Sequence, residues 1–343
     1  MKLRWTAPLL ALAVAFAALP ALVGVLTQSR VQSALAERWP EVEQVWQRGW
    51  RQSRLVLRHD QLEAEIELEH LPLSPPGWLA LRGRVRIESP PARVDLTGRL
   101  GLTGRFELNG RSDALVLPGP PQWRYHQPGL RVTGDIGQTL AIELRSSTLD
   151  IADSAGNRLA LTDTVLQLTV RQAQQGPLDL ELGLQLTRAG QAESRLQLAL
   201  AGLDHDALIA TIEAVRNLST TEVGSAAHRL AQLSVLGALQ QLADAGLAVL
   251  LEPLLLDGRV RVHGHWQPGQ PPQITGGGPP ATLHTWLAAI VGLHNGLAAN
   301  EAHARASEQL AAIRQRGLAE GWLQIQGDEW RIELPGPGHP GPP

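Results

Sequence analysis

The chain has 343 residues, 43% hydrophobic and 18% charged, with no cysteine and a formal net charge of −3. This is the composition of a folded chain. It excludes thiol chemistry, disulfides and cysteine-ligated metals, and it argues against a nucleic-acid partner, which would call for a basic surface.

Lys2 and Arg4 precede an apolar run from Trp5 to Leu26, and Thr27-Gln28-Ser29-Arg30 follow. The run reaches the ~20 residues that a spanning helix needs. It exceeds the roughly 7–15 residues of a signal-peptide core. An uncleaved transmembrane anchor is expected over 1–29, with Pro8 and Pro20 inside it; the alternative is a leader cleaved after Ala15-Phe16-Ala17. The two basic residues place the N-terminus in the cytoplasm by the positive-inside rule. The body, 30–334, then lies in the periplasm of a Gram-negative cell, held to the inner membrane by one span.

Val31 to Gln47 reads as a short helix, because Leu35 and Trp39, and Val42 and Trp46, are four apart. The period then changes to two. Leu62, Ala64, Ile66 and Leu68 alternate with Glu63, Glu65, Glu67 and Glu69, which predicts a strand with one apolar and one carboxylate face. The alternation recurs at short spacing through Leu140, Ile142 and Leu144, then Leu166 and Leu168, then Leu180, Leu182 and Leu184, then Leu196 and Leu198. About ten one-faced strands at such spacing predict antiparallel meanders rather than βαβ units. Pro118 to Gly129 reads as a Pro/Gly loop, and Gly83, Gly98, Gly104 and Gly183 as sites of bends or bulges.

After Gly202 the period is helical. Asp204 is the expected N-cap of a first helix carrying Ala207, Leu208, Ile212 and Val215. A second helix is expected over Thr221 to Leu251, stopped by Pro253. Leu254, Leu256, Val260 and Val262 return to strand, Pro268 to Pro280 reads as a loop, and Ala281 to Arg316 as a third helical stretch. Leu323 to Leu334 is a final hairpin, and the Pro/Gly-rich tail 335–343 is expected to be disordered. The body thus divides into a strand-rich part (30–202), a mostly helical part (203–316) and a hairpin (317–334). The fold class is α+β: an N-terminal transmembrane helix, then a long curved antiparallel sheet, with helices near the C-terminus covering part of its apolar face.

Three stretches resemble the YdgA-like family of bacterial envelope proteins. The first contains Trp46, Arg48, Gly49, Trp50 and Ser53, an aromatic-x-Arg-Gly-aromatic-x-x-Ser segment. The second contains Leu203, Asp204, Ala207 and Leu208 at a strand-to-helix passage. The third is Gly317-Leu318, Trp322-Leu323-Gln324-Ile325 and Trp330-Arg331-Ile332, similar to that family's closing hairpin. Trp46 stands where a Tyr is common, and Glu333-Leu334-Pro335-Gly336 departs from the usual Asn-Gly ending. The resemblance implies an inner-membrane-anchored, periplasm-facing protein and carries over no catalytic residue. A fold-level analogy with AsmA-like proteins implies a curved sheet with a hydrophobic groove.

Residues that could bear chemistry each have a plainer reading. His263 and His265 share one strand face, but no third ligand has a fitting spacing for a metal. Asp204-His205-Asp206 is better read as helix capping than as an acid/base cluster. The Glu63–Glu69 row is the wet face of a strand rather than a cation site. Gly276-Gly277-Gly278 lacks the lysine of a phosphate loop and reads as a flexible connector. Trp39, Trp46 and Trp50 suit either the membrane interface or packing against the sheet.

No enzyme, cofactor or metal is expected. The apolar sheet face is more than a few helices readily cover, so a trough is expected, suited to an acyl chain. Its candidate lining is Leu140, Ile142, Leu144, Leu166, Leu168, Leu180, Leu182, Leu184, Leu196 and Leu198. The expected partners are the inner membrane, a phospholipid or other acyl-chain ligand, and envelope proteins. The alternative function is a periplasmic scaffold or assembly factor whose apolar face is closed.

Overall fold

The computed structural model describes residues 28–29, 32–33, 41–49, 52–59, 62–70, 79–88, 91–101, 104–117, 121–135, 138–153, 156–172, 176–221 and 225–334. The expected anchor (apart from Gln28 and Ser29), Trp39, Trp50 and the tail 335–343 lie outside them. Among the described residues no helix is long and apolar enough to cross a membrane. Eighteen strands and four long helices are present among them, and the described strand pairings are antiparallel. The chain divides into two compact units, residues 1–117 with 124–136, and 118–123 with 137–343.

The first unit is a meander. Strands β1 (Glu43–Arg48), β2 (Gln52–His59), β3 (Leu62–His70), β4 (Leu79–Glu88), β5 (Pro91–Leu100) and β6 (Arg105–Arg111) pair in sequence, and β6 then pairs with β9 (Gly129–Asp135). β7 (Ala114–Leu117) follows β6, and β8 (Gln122–His126) straddles the division. One face buries Ser53, Leu55, Ala64 and Leu68. On the other, the carboxylate row of β3 lies between arginines of β2 and β4. Glu63 is opposite Arg58 and Arg86, Glu65 is opposite Arg84, and Glu67 is opposite Arg54 and Arg82. Arg54 reaches Glu65 at 2.7 Å, on exposed side chains. The row is therefore a wet, charge-matched face, as expected. Each such pair contributes only about 0.2–1 kcal/mol.

The second unit orders its strands β10 (Thr139–Ala152), β11 (Arg158–Gln172), β12 (Leu178–Arg188), β13 (Glu193–Leu203), β14 (Ala248–Leu256), β15 (Val260–Trp266), β16 (Gln273–Gly278), β18 (Glu329–Leu334) and β17 (Leu323–Gln326). Two helical pairs interrupt this meander. α1 (His205–Thr220) and α2 (Ala226–Asp244) fall between β13 and β14, and α3 (Pro280–Asn295) and α4 (Ala299–Ala319) fall between β16 and β17. Asp204 caps α1 as expected, its carboxylate accepting from the backbone N–H groups of Asp206 and Ala207 at 3.1 and 2.9 Å.

Several expectations are corrected. Residues 43–48 are strand, not the end of a helix; pairing with β2 overrides the four-residue spacing of Val42 and Trp46. Gln122–His126 is a strand inside the expected 118–129 loop. α2 ends at Asp244, and Ala248–Leu251 belongs to β14, with Pro253 inside the strand rather than stopping a helix. The third helical stretch breaks at Gly296, whose φ of 62° caps α3. Gly276–Gly278 is no flexible connector but the end of β16. A Cβ on these residues would meet the carbonyls of Arg261 at 2.5 Å, Trp330 at 2.7 Å and Arg259 at 2.6 Å, so close approach of neighbouring backbone demands glycine. Gly83, Gly98 and Gly183 sit in continuous register rather than at bulges.

The bulges lie elsewhere, in the second unit. The register shifts mark three of them among the described residues: Asp163-Thr164 on β11, Ala201-Gly202 on β13 and Glu252-Pro253 on β14, the last seen from both β13 and β15. Each shift bends its strand and sharpens the local twist.

Candidate functional site

Antiparallel partners share a face, so the register states which side chains meet. Leu144, Leu166, Leu184, Leu196, Leu254 and Val262 are successive partners across β10 to β15. Ile142, Leu168, Leu182, Leu198 and Leu251 form a second row, ending at Gly264. Leu140, Val170, Leu180, Leu200, Val249 and Trp266 form a third. All ten residues singled out from the sequence stand in these three rows, on one face. At about 4.8 Å per strand and ~3.4 Å per residue, the stripe is roughly 24 Å across the strands, with rows about 7 Å apart.

Two bulges keep the face continuous. On β14, Glu252 and Pro253 both stand between the partners of Leu198 and Leu196, so Leu251 and Leu254 point the same way although three residues apart. Proline fits here because a bulge spares it from donating to the ladder. On β13, Ala201 and Gly202 play the same part between Leu200 and Leu203. Gly202 has φ 75°, and its N–H donates to the Asp179 carboxylate at 3.1 Å. The opposite face of the same strands carries Glu143, Gln167, Gly183 and Gln197 in one row, and it is polar.

The stripe is covered at its two ends. At one, Leu203, which is 1% exposed, forms a core with Leu242 of α2 and Leu247, and Leu178, Leu180, Leu200, Ala207, Leu208, Val249 and Trp266 pack against it. At the other, Ser146, Thr164, Leu186, Ser194 and Val260 are buried. There the Arg188 guanidinium lies 5.4 Å over the ring of Trp286 on α3 and pairs with the buried Asp257 carboxylate at 2.9 Å. Asp257 also accepts from Ser194 Oγ at 3.3 Å. Asn157 in the β10–β11 turn donates to the Leu297 carbonyl at 2.5 Å, which fixes the α3–α4 turn at the same end. Between these covers, the two rows through Leu182 and Leu184 are only half-buried, and Leu166 is 37% exposed. Leucines fixed on a sheet and left partly in water form a preformed apolar surface.

Seven further residues complete the rows: Val170, Leu200, Leu254 and Val262, on segments that read as strand, and Val249, Leu251 and Trp266, which the sequence does not place on one. Val249 and Leu251 fall within the 221–251 stretch whose leucine spacing predicts helix. The signal was Gly246, whose φ of 101° ends the helical segment.

The described residues of the three resembling stretches have structural roles here. Trp46 and Arg48 are on β1, and the Arg48 guanidinium donates to the Gln28 side chain. A Cβ on Gly49 would strike the Gln52 carbonyl, and Ser53 is buried. Leu203, Asp204, Ala207 and Leu208 are the core residue, the cap and the packing residues of the strand-to-helix passage. Gly317 is buried against Trp322 and Leu323.

Among the described residues a serine hydroxyl and a histidine ring meet in a shallow pocket of about 480 Å³ between α3 and α4, lined by His284, Ser307, Leu310, Arg314, Leu318 and Trp330. Ser307 Oγ donates to the His303 carbonyl at 2.9 Å, so its proton is already engaged. His284 Nε2 lies 3.0 Å from Ser307 Oγ and 3.2 Å from the His303 carbonyl, which suits a donating N–H and not a general base. His263 and His265 are on the polar face of β15, paired with Thr275 and Gln273. Among the described residues no three His, Asp or Glu side chains converge on a metal position.

Comparison of the chain with family models, with curated proteins and with solved structures returns no match.

Proposed function

We propose that this chain is a membrane-anchored periplasmic protein of the cell envelope that holds an acyl-chain ligand such as phospholipid on the apolar face of its second unit, without enzymatic chemistry. The observation that supports this reading most is the leucine stripe, whose two rows through Leu182 and Leu184 are half-buried between two covered ends. A stripe of roughly 24 Å exceeds the ~15 Å depth of one leaflet's hydrocarbon, half of a core about 30 Å thick. One acyl chain laid along a row would be desolvated over its length, at about 0.8 kcal/mol per methylene. The location rests on the apolar run 5–26 with Lys2 and Arg4 before it, and on the resemblance of the three stretches to the YdgA-like family. The AsmA-like analogy supplies the class of ligand.

The test is photocrosslinking in cells, with a photoreactive residue at Leu182 and a second at Gln197 on the polar face. The reading expects phospholipid adducts at Leu182 and none at Gln197. Adducts at Leu182 to protein alone would replace it with the scaffold reading.

A further inference from the structure

α2 exposes leucines on the side away from its buried one, set among the uncharged Gln232, Ser234, Gln240 and Gln241. Ala238 and Leu242 are buried on one side. Leu230, Leu233 and Leu236 are exposed on the other, and the neighbouring α1 adds exposed Ile209, Ile212 and Val215. These six side chains are between 43% and 65% exposed. Leu233 is nine residues from Leu242, about 2.5 turns, which puts it on the diametrically opposite face. Leucines on two opposite sides give α2 more apolar surface than its own unit covers, because only one of those sides is buried.

We propose that the outer face of α2 is a membrane-docking surface that inserts into the hydrocarbon boundary of a phospholipid leaflet; α1 beside it interleaves Ile209, Ile212 and Val215 with the exposed Glu213 and Arg216. Two features favour lipid over a protein partner. The first is charge: α2 carries no Asp, Glu, Lys or Arg between Arg229 and Asp244, so its outer face matches an uncharged medium and offers no ion pair to fix a partner's orientation. The second is pattern. Exposed leucines at strict steps of three wind about 60° backwards per step and cover a broad arc. A helix seated in a protein groove needs the narrower stripe of mixed three and four spacing. A fluid leaflet accommodates a broad convex surface.

The location gives docking a purpose, which rests on the lipid-binding reading above. Ala207 and Leu208 of α1 and Leu242 of α2 share one core cluster with Leu180, Leu200 and Val249, the row at one end of the stripe. Docking of the outer face of α2 would bring that end of the stripe to the leaflet from which an acyl chain comes.

Because the chain has no cysteine, single cysteines can be labelled without background. Full-length Leu233→Cys and Leu236→Cys, and Glu181→Cys on the polar sheet face, are labelled with an environment-sensitive fluorophore. Each is reconstituted in phosphatidylethanolamine–phosphatidylglycerol vesicles with and without doxyl-labelled phospholipid. The proposal expects blue-shifted emission, quenched by the doxyl lipid, at Leu233→Cys and Leu236→Cys, and water-like, unquenched emission at Glu181→Cys. Water-like emission at all three sites overturns it. So does a blue shift at Leu233→Cys that doxyl lipid leaves unquenched, since protein then covers the face. Phospholipid crosslinking at Leu182 reports the stripe separately, so failure of docking and failure of ligand binding give different results.

Discussion

Leu182 of β12 and Leu198 of β13 are direct cross-strand partners, in a row that also holds Leu168 on one side and Leu251 on the other. The pair is half-buried, at the middle of the stripe and away from both helical covers. Leu182→Glu puts a carboxylate there that still reaches water. Its stability cost is on the order of 1 kcal/mol, the span of substitution effects on a sheet surface. The variant is expected to melt cooperatively near the parent temperature while losing bound lipid. Unfolding of the variant would place Leu182 in a closed core.

The Arg188–Asp257 pair is a different case. The Asp257 side chain is 3% exposed, and its partners are Arg188 and Ser194. Arg188→Ala leaves that carboxylate buried without its cation and removes the guanidinium over Trp286. A loss of about 3–5 kcal/mol is expected, as for breaking buried pairs. Arg188→Lys keeps the charge but not the flat stack, so it should recover only part of the loss. Denaturant melts of the three proteins check the order.

Gly277→Ala and Gly183→Ala separate two kinds of strand glycine. At Gly277 an added Cβ would lie 2.7 Å from the Trp330 carbonyl, and at Gly183 it would lie 3.5 Å from Gln167. The first is expected to cost roughly 1–3 kcal/mol through backbone displacement. The second should be neutral or stabilise by about 0.5–1 kcal/mol, because glycine is the costlier residue within a strand. Chemical denaturation midpoints decide.

Asp204→Ala is expected to cost about 1 kcal/mol and to loosen the first turn of α1, since it removes the acceptor for two backbone N–H groups. Hydrogen exchange at Asp206 and Ala207 should quicken, with β13 unaffected. Protection left intact would mean that the cap contributes nothing.

The alternation of Leu140 to Leu144, Leu166 with Leu168, Leu180 to Leu184 and Leu196 with Leu198 was legible because these segments are regular strand and period two maps directly to one face. Legibility failed where the period was broken by design. Leu200 and Leu203, and Leu251 and Leu254, are three apart, a spacing that reads as helix, yet bulges at Ala201-Gly202 and Glu252-Pro253 turn each pair to the same side of the sheet. The glycines of β16 read as a loop because composition signals flexibility, whereas contact with the Arg261 and Trp330 backbones is what requires them. The exposed leucines of α2 read as an ordinary packed helix, because a sequence shows how apolar a helix is but not which sides have neighbours.

The most direct test of the central claim is native mass spectrometry with lipid extraction, comparing the full-length protein with its Leu182→Glu variant. Both keep the same N-terminal run, so lipid held there contributes equally. The account predicts stoichiometric phospholipid or fatty acid on the parent and its loss from the folded variant. Equal lipid on both, or none on either, would contradict an acyl-chain site on the leucine stripe.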